Sequence, residues 1–390
     1  MLTTLLVIAI LVFLIVAHEL GHFFVAKVFK VKVEEFGIGY PPRAFLMGIK
    51  NGTEYSLNWI PFGGFVRLLG ENADAPKEKG SFSRAPRYIQ ALILAAGVTM
   101  NLIAGWLLFA GALYAGIPHA VVPEDAGANA RLVVSGVVPG SPAEISGIIA
   151  GDEIVSVEDA TTGAEAALKP TDIIAFVQER GGKAIEVTTM RGSEQKLLTL
   201  HPVHSIIPES ADRPAIGLGL VVVDSDPMPL GTSLYEALPL TIDKLFVVAD
   251  GLITIFERAV AGDKALEGIV GPVGLVGVVD AASQHGIGNV LALAGFISIN
   301  LVIVNLLPIP ALDGGRLLLL AIESIIRRDA PRLAVGFLNM LGVAAIIVLM
   351  ITVTYNDILR LCLSEKRRSP TRWSGLKRAG EGGPSLGVGG

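Results

Sequence analysis

Four apolar runs govern what this chain can fold into. Residues 2–27, 89–115, 290–307 and 334–355 each have about the length a helix needs to cross a hydrocarbon core of roughly 30 Å. Within a bilayer every backbone N–H and C=O must be paired inside the protein, so each run is expected to be a helix. No basic residue precedes Leu2 and no small-residue cleavage site comes before His18, so the first run reads as a retained helix rather than a removed signal. The composition agrees, with 52% hydrophobic residues, 17% charged residues and a mean hydropathy of +0.61. With a net charge of -5 and no basic face interleaved with aromatics, the chain does not fit a nucleic-acid partner; its partner is the lipid bilayer.

Charge orients the spans. Residues 31–86 carry Lys32, Arg43, Lys50, Arg67, Lys77, Lys79 and Arg84, and the link after the third run carries Arg316, Arg327, Arg328 and Arg332. Basic loops stay on the cytoplasmic side, which puts the N-terminus and residues 117–289 outside. Four crossings also send the tail outside, against the preference of its own Lys366, Arg367, Arg368, Arg372, Lys377 and Arg378.

The expected fold is a polytopic α-helical membrane protein with a small membrane-associated β-hairpin region and an inserted αβ domain. The parts run as a first membrane helix over 1–30, a cytoplasmic-side β-hairpin region over 31–88 and a second membrane helix over 89–116. An αβ domain follows over 130–204, then a linker over 205–289. The last parts are a third membrane helix with its following motif over 290–326, a fourth over 333–356, and a basic, partly disordered tail over 357–390. In the hairpin region Asn51-Gly52 supplies the turn, and the first strand is expected to end at Pro41-Pro42. Leu234, Leu238, Ile242, Leu245, Val248, Leu252 and Ile255 recur at helical spacing among charges, which predicts an amphipathic helix on the membrane surface. Gly271-Pro272-Val273-Gly274 reads as a turn.

The chemistry concentrates in the membrane. Cys362 is the single cysteine, so a thiolate metal cluster within one subunit is excluded and any metal must sit on histidines and carboxylates. His18-Glu19-Leu20-Gly21-His22 lies in a helix without proline, where four residues advance about 400° and about 6 Å and stack both imidazoles on one face. Two neutral imidazoles on adjacent turns can grip one Zn²⁺, with Glu19 in reach of the water as general base. Uncompensated ionisable groups in a membrane helix cost on the order of 2.5 kcal/mol each, so this set has to serve a purpose. A third ligand has to come from elsewhere, and Asp313 is the obvious candidate. It ends Asn305-Leu-Leu-Pro-Ile-Pro-Ala-Leu-Asp313, where Pro308 and Pro310 break the helix; irregular backbone at membrane depth requires a polar cavity around it. His119, His201, His204 and His285 read as ordinary surface or loop histidines.

The HELGH motif in the first apolar run, paired with NLLPIPALDGG after the third, resembles the site-2 protease family of intramembrane metalloproteases. The regulator of sigma-E protease type is the nearer likeness, through Pro61-Phe-Gly-Gly-Phe-Val66, Gly271-Pro-Val-Gly274 and Ser298-Ile-Asn-Leu301. The run from Val137 to Val155, with Ser141-Pro142-Ala143 and Gly151-Asp152, looks like the turn, short helix and Gly-Asp turn of bacterial PDZ domains, so the inserted domain is expected to be PDZ-like. By that resemblance His18, His22 and Asp313 would hold zinc, Glu19 would activate water, and Asn305 and Pro308 would lie along the substrate. Phe36, Gly37, Ile38 and Gly39 would belong to a β-hairpin whose edge pairs with an unwound substrate segment.

The implied activity is zinc-dependent cleavage of single-span membrane proteins, such as an anti-sigma factor already trimmed by another protease, or remnant signal peptides. The setting would be the bacterial inner membrane. Departures exist: Val98 stands after Gly97 where the family often has proline, and a single PDZ-like unit stands where some relatives have two. A catalytically silent scaffold that holds partners through its PDZ-like domain is the rival reading, and the complete His, Glu, His and Asp set argues against it.

Overall fold

The computed structural model describes residues 2–71, 78–192, 194–204, 213–262, 270–328 and 330–368. The chain divides into two compact units, residues 110–235 and the remainder. Elements are numbered in chain order.

The larger unit is built on helices α1 (Leu2–Val28), α2 (Arg87–Tyr114), α5 (Leu230–Ala261), α6 (Pro272–Gln284), α7 (Ile287–Leu306), α8 (Asp313–Ile326) and α9 (Arg332–Arg368). Among the described residues, four stretches are long and apolar enough to cross a membrane: α1, α2, α7 and residues Leu333–Arg360 of α9. They correspond to the four apolar runs. The helix of α9 continues to Arg368, so the first residues of the expected tail are helical, and the rest of that tail lies outside the described residues.

Small residues and buried polar groups join the helices, as is usual where lipid removes the hydrophobic drive for association. Ser298 Oγ of α7 donates to the Asn101 carbonyl of α2 at 2.7 Å, and both residues are fully buried. The first half of α1 packs Val7, Ile10 and Leu14 against Val279, Val290 and Ala294 of α6 and α7, and Thr3 Oγ1 donates to Asp280 at 2.8 Å. The Gly271–Gly274 segment differs from its reading as a turn: Pro272 opens α6, where a missing N–H costs nothing. The cap of this helix comes from the last span, because the buried carboxylate of Asp357 accepts from Gly271 N at 3.2 Å and Gly274 N at 2.7 Å. Gly342, nearer the start of α9, lies against the Pro310 carbonyl. The helix thus runs from the level of the Pro308-Pro310 loop back to the level of α6 and the first half of α1, as four crossings require.

β1 (Val33–Lys50) and β2 (Thr53–Leu68) are joined by Asn51-Gly52, both at positive φ (50° and 73°) as a tight hairpin turn demands. The strand does not end at Pro41-Pro42 as expected. Instead the chain crosses over there and builds a sheet of four segments. Residues 43–50 pair antiparallel with 53–58, while residues 35–38 pair antiparallel with 64–67 on one side. On their other side they pair with 54–57 in rising register, from Glu35↔Glu54 to Ile38↔Leu57. Proline has no N–H to give a ladder, so the crossover falls where a strand is weakest. Glu35, buried, ties the segments together by accepting from Ser56 Oγ and Arg43 Nη2, each at 2.7 Å, and pairing with Arg67 at 3.0 Å. Burial alone would raise its pKa, but the Ser56 hydroxyl and the two guanidinium groups hold it below the ordinary carboxylate value. The far end exposes Phe45, Met47, Ile49 and Trp59.

The smaller unit is an αβ domain with an antiparallel six-stranded sheet in the order β3-β8-β4-β5-β6-β7. Its strands are β3 (His119–Val121), β4 (Arg131–Val137), β5 (Glu153–Asp159), β6 (Ile185–Arg191), β7 (Glu194–Leu200) and β8 (Leu218–Asp224), with α3 (Pro142–Ile145) and α4 (Pro170–Glu179). Inward residues alternate along the strands, and Leu132, Val134, Ile154, Val157, Ile185 and Val187 close on Ile173, Phe176 and Val177 of α4. The sequence boundary of 130–204 is too narrow: β8, from the stretch read as linker, is the inner neighbour of β4, and β3 extends the sheet beyond it. The Ser141 side chain caps α3, and the Gly151-Asp152 turn is held by Arg191. These are the turn, short helix and Gly-Asp turn expected from the sequence.

Candidate metal centre

Helix α1 stacks His18 and His22 on one face, with ring centroids 4.8 Å apart and planes at 82°. Helix α2 covers them, and it can do so because glycine stands on both sides of the contact. A Cβ on Gly21 would overlap the Ala96 carbonyl, and one on Gly97 would overlap His22 Nε2 and Cε1 and His18 Cε1. The third group comes from far along the chain. After α7 ends at Leu306, residues 307–312 run without helix, and Ala311 takes a φ of 81° that only strain or context imposes on a side-chain-bearing residue. Asp313 then opens α8. A Cβ on Gly314 would overlap the Leu306 and Leu307 backbone, so this glycine lets α8 fold back on the loop.

His18 Nε2 lies 3.0 Å from Asp313 Oδ2, His22 Nε2 lies 3.4 Å from it, and the two Nε2 atoms are 3.1 Å apart. Ligand atoms about 2.0–2.1 Å from one tetrahedral zinc ion stand roughly 3.3–3.4 Å apart, so the triangle has the size for that ion. Asp313 Oδ2 is buried with no well-aligned donor, and two imidazole nitrogens face each other across the same space. Two imidazole nitrogens and a carboxylate oxygen converge on one space, and with both ring protons on Nδ1 they are three acceptors that a cation relieves; this donor set suits zinc. His18, His22 and Asp313 are the sole such group among the described residues. Their outer nitrogens are engaged by α2: His22 Nδ1 donates to the Ile93 carbonyl at 2.7 Å, and His18 Nδ1 is 3.2 Å from the Asn101 amide.

A cavity of about 380 Å³ opens on this triangle. Glu19 lines it beside both histidines, as does Asn305 in the last turn of α7. Pro308 is exposed in the loop and does not line it. Gly64, Phe65 and Val66 of β2 also line it, and a Cβ added at Gly64 would come within 3.4 Å of Glu19 Cγ. Glu71 and Arg316 also line the cavity and form an ion pair, joining the end of β2 to α8.

The expected strand-pairing residues are not where the sequence reading put them. Phe36, Gly37 and Ile38 are inner, paired on both sides, and the Phe36 ring packs on Phe23 at 5.6 Å. Gly39 is buried. A substrate strand cannot add to an inner strand. The outer one on the cavity side is 64–67, which has no further partner among the described residues. Sequence reasoning missed this edge because the crossover at Pro41-Pro42 decides which segment lies outside. It also gave Asn101 no part, although a lone asparagine in an apolar run was a visible signal.

These features define a membrane-embedded metalloprotease, and comparison with known proteins agrees. The model of peptidase family M50, the site-2 proteases, matches residues 6–349, and the chain belongs to this family. A Clostridium acetobutylicum protein described as a candidate zinc metalloprotease is 33% identical over 367 residues, covering 90% of this chain and 97% of that protein. The regulator of sigma-W protease RasP of Bacillus subtilis is 29% identical over 434 residues, covering 90% of this chain and 96% of that protein. Among solved structures, the PDZ domain of an SdrC-like protein from Listeria monocytogenes matches 26% of this chain and 92% of its own, at 20% identity and a TM-score of 0.19. The chain is a multi-pass membrane protein and a zinc metalloprotease.

Proposed function

We propose that this protease cuts transmembrane protein substrates within the bilayer, with His18, His22 and Asp313 holding the zinc ion and Glu19 acting as general base. The observation that carries the reading is the convergence of three potential ligand atoms beside Glu19, in a cavity that lies among apolar spans. Bound zinc supplies Lewis-acid polarisation of a carbonyl and a water that loses its proton readily at neutral pH. Glu19 receives that proton and passes it to the leaving amine. A carboxylate flanked by two imidazoles is well placed for both transfers.

A helical substrate has its carbonyls paired and shielded, so it has to unwind before attack. The free edge at Gly64–Arg67 offers main-chain pairing to the opened segment, directly beside Glu19. The Asn305 amide adds a side-chain hydrogen bond from the facing wall, and Pro308 serves by ending the helix. The exposed apolar end of the hairpin, with Trp59 and Phe45, dips into lipid. Helix-breaking residues in the substrate favour cleavage. The PDZ-like domain admits substrates already trimmed by another protease, by reading a chain end or excluding bulk. The B. subtilis relative's name points to control of a sigma factor, which makes an anti-sigma factor in the bacterial inner membrane a fitting substrate, with remnant signal peptides as the other class.

The test is cleavage in liposomes of a single-span reporter whose transmembrane segment contains glycine and proline, with products located by mass spectrometry. A cut inside the span, abolished by a chelator and restored by zinc, is expected. A cut outside the span that ignores the chelator contradicts the reading.

A further inference from the structure

Each imidazole in the triangle can offer Nε2 to a cation when its ring proton sits on Nδ1, and a hydrogen-bond acceptor at Nδ1 fixes that tautomer. For His22 the acceptor is a main-chain carbonyl, Ile93 O at 2.7 Å. For His18 the neighbour of Nδ1 is the side-chain amide of Asn101, 3.2 Å away. Asn101 is wholly buried on α2, its carbonyl is fastened to α7 by Ser298, and its Oδ1 has no partner while Nδ2 faces His18. In that orientation the amide donates to Nδ1, the ring proton moves to Nε2, and His18 loses the lone pair that faces His22 and Asp313. Oxygen and nitrogen of an amide exchange places by a half-turn that leaves the shape unchanged. With Oδ1 toward His18, Nδ1–H is the donor and both Nε2 lone pairs face the site.

We infer that Asn101 accepts a hydrogen bond from His18 Nδ1–H and is a positioning residue that holds His18 in its metal-binding tautomer. The inference rests on the proposed ligand set. It makes α2 the common support of both histidines, through a carbonyl for one and an amide for the other, with Ser298 linking that support to α7.

The test uses the intact protein in detergent and reads zinc affinity by chelator competition. Asn101→Leu, which removes the acceptor, is expected to weaken zinc binding about 10- to 100-fold. Asn101→Asp presents an oxygen in either orientation and is expected to stay within about 3-fold of wild type, since an outer-shell carboxylate serves the same purpose. In zinc-loaded wild type, ¹⁵N NMR of the histidines should show His18 protonated at Nδ1, a reading that needs no variant to fold. Unchanged affinity in Asn101→Leu, equal weakening in both variants, or a His18 proton on Nε2 overturns the inference. Retention of zinc by His18→Ala overturns the ligand set itself, a separate failure.

Discussion

Gly21 meets the backbone carbonyl of Ala96 with no room for a side chain between them. This contact sets how deeply α1 sinks against α2, and Gly97, the next residue along α2, leaves space for both imidazoles. Overpacking of this kind costs about 1–3 kcal/mol. If that falls on the metal site, Gly21→Ala and Gly97→Ala each weaken zinc binding roughly 5- to 150-fold, by the same arithmetic that equates 1.4 kcal/mol with tenfold. Chelator competition measures it, and wild-type affinity in both variants contradicts the account.

Asp357 links the last span to the start of α6 by accepting two main-chain N–H groups. Asp357→Leu leaves both without an acceptor and should destabilise the protein by about 1–3 kcal/mol, the cost of stranding buried donors. Asp357→Asn keeps one acceptor oxygen and should fall between. Thermal unfolding in detergent orders the three, and equal midpoints would contradict the assigned cap.

The PDZ-like domain should loosen in acid. Asp159 accepts from Thr162 N at 3.0 Å and Thr161 N at 2.9 Å, then pairs with Arg180 at 2.8 Å, and these hold its pKa well below the usual value. Asp152 is lowered chiefly by Arg191, at 2.7 Å. A carboxylate whose pKa is depressed by folding contributes stability in full above its unfolded value, about 3.9, and loses it as pH falls through the folded value. Hydrogen exchange in β5 and β6 of the intact protein should therefore be constant from neutral pH to about 5 after correction for intrinsic rates, and protection should drop below about 4. Asp159→Asn should lower protection at neutral pH and flatten the fall.

Proline on the free sheet edge removes an N–H from any strand pairing there. Phe65→Pro and Val66→Pro are adjacent, so one of the two strikes an outward-facing N–H. That variant should cut the reporter about 3- to 10-fold more slowly, the worth of one hydrogen bond, while zinc content holds. Equal rates in both variants contradict substrate pairing on this edge.

Much of the membrane part was legible because lipid imposes local rules. Span length and helix formation follow from apolar runs, and His18 and His22 follow from a spacing of four on one helix. Asp313 was legible from the prolines that break the helix before it. What escaped depends on distant partners. The partners of Gly271-Pro272-Val273-Gly274 include Asp357, 83 and 86 residues on, and no local pattern announces that bond. The crossover at Pro41-Pro42 moved the outer edge from Phe36–Gly39 to Gly64–Arg67, because prolines that stop one ladder allow the chain to begin another. β8 joined the PDZ-like sheet from the stretch read as linker, since a short apolar strand carries no record of its neighbour.

If Glu19 moves the proton in a zinc-dependent cleavage, Glu19→Gln separates that transfer from metal binding. Reporter cleavage in liposomes and bound zinc are measured together for wild type and variant. The account predicts that both hold zinc and that the variant cuts at least about 100-fold more slowly, the lower bound for losing a general base. A variant that cuts at the wild-type rate would contradict it.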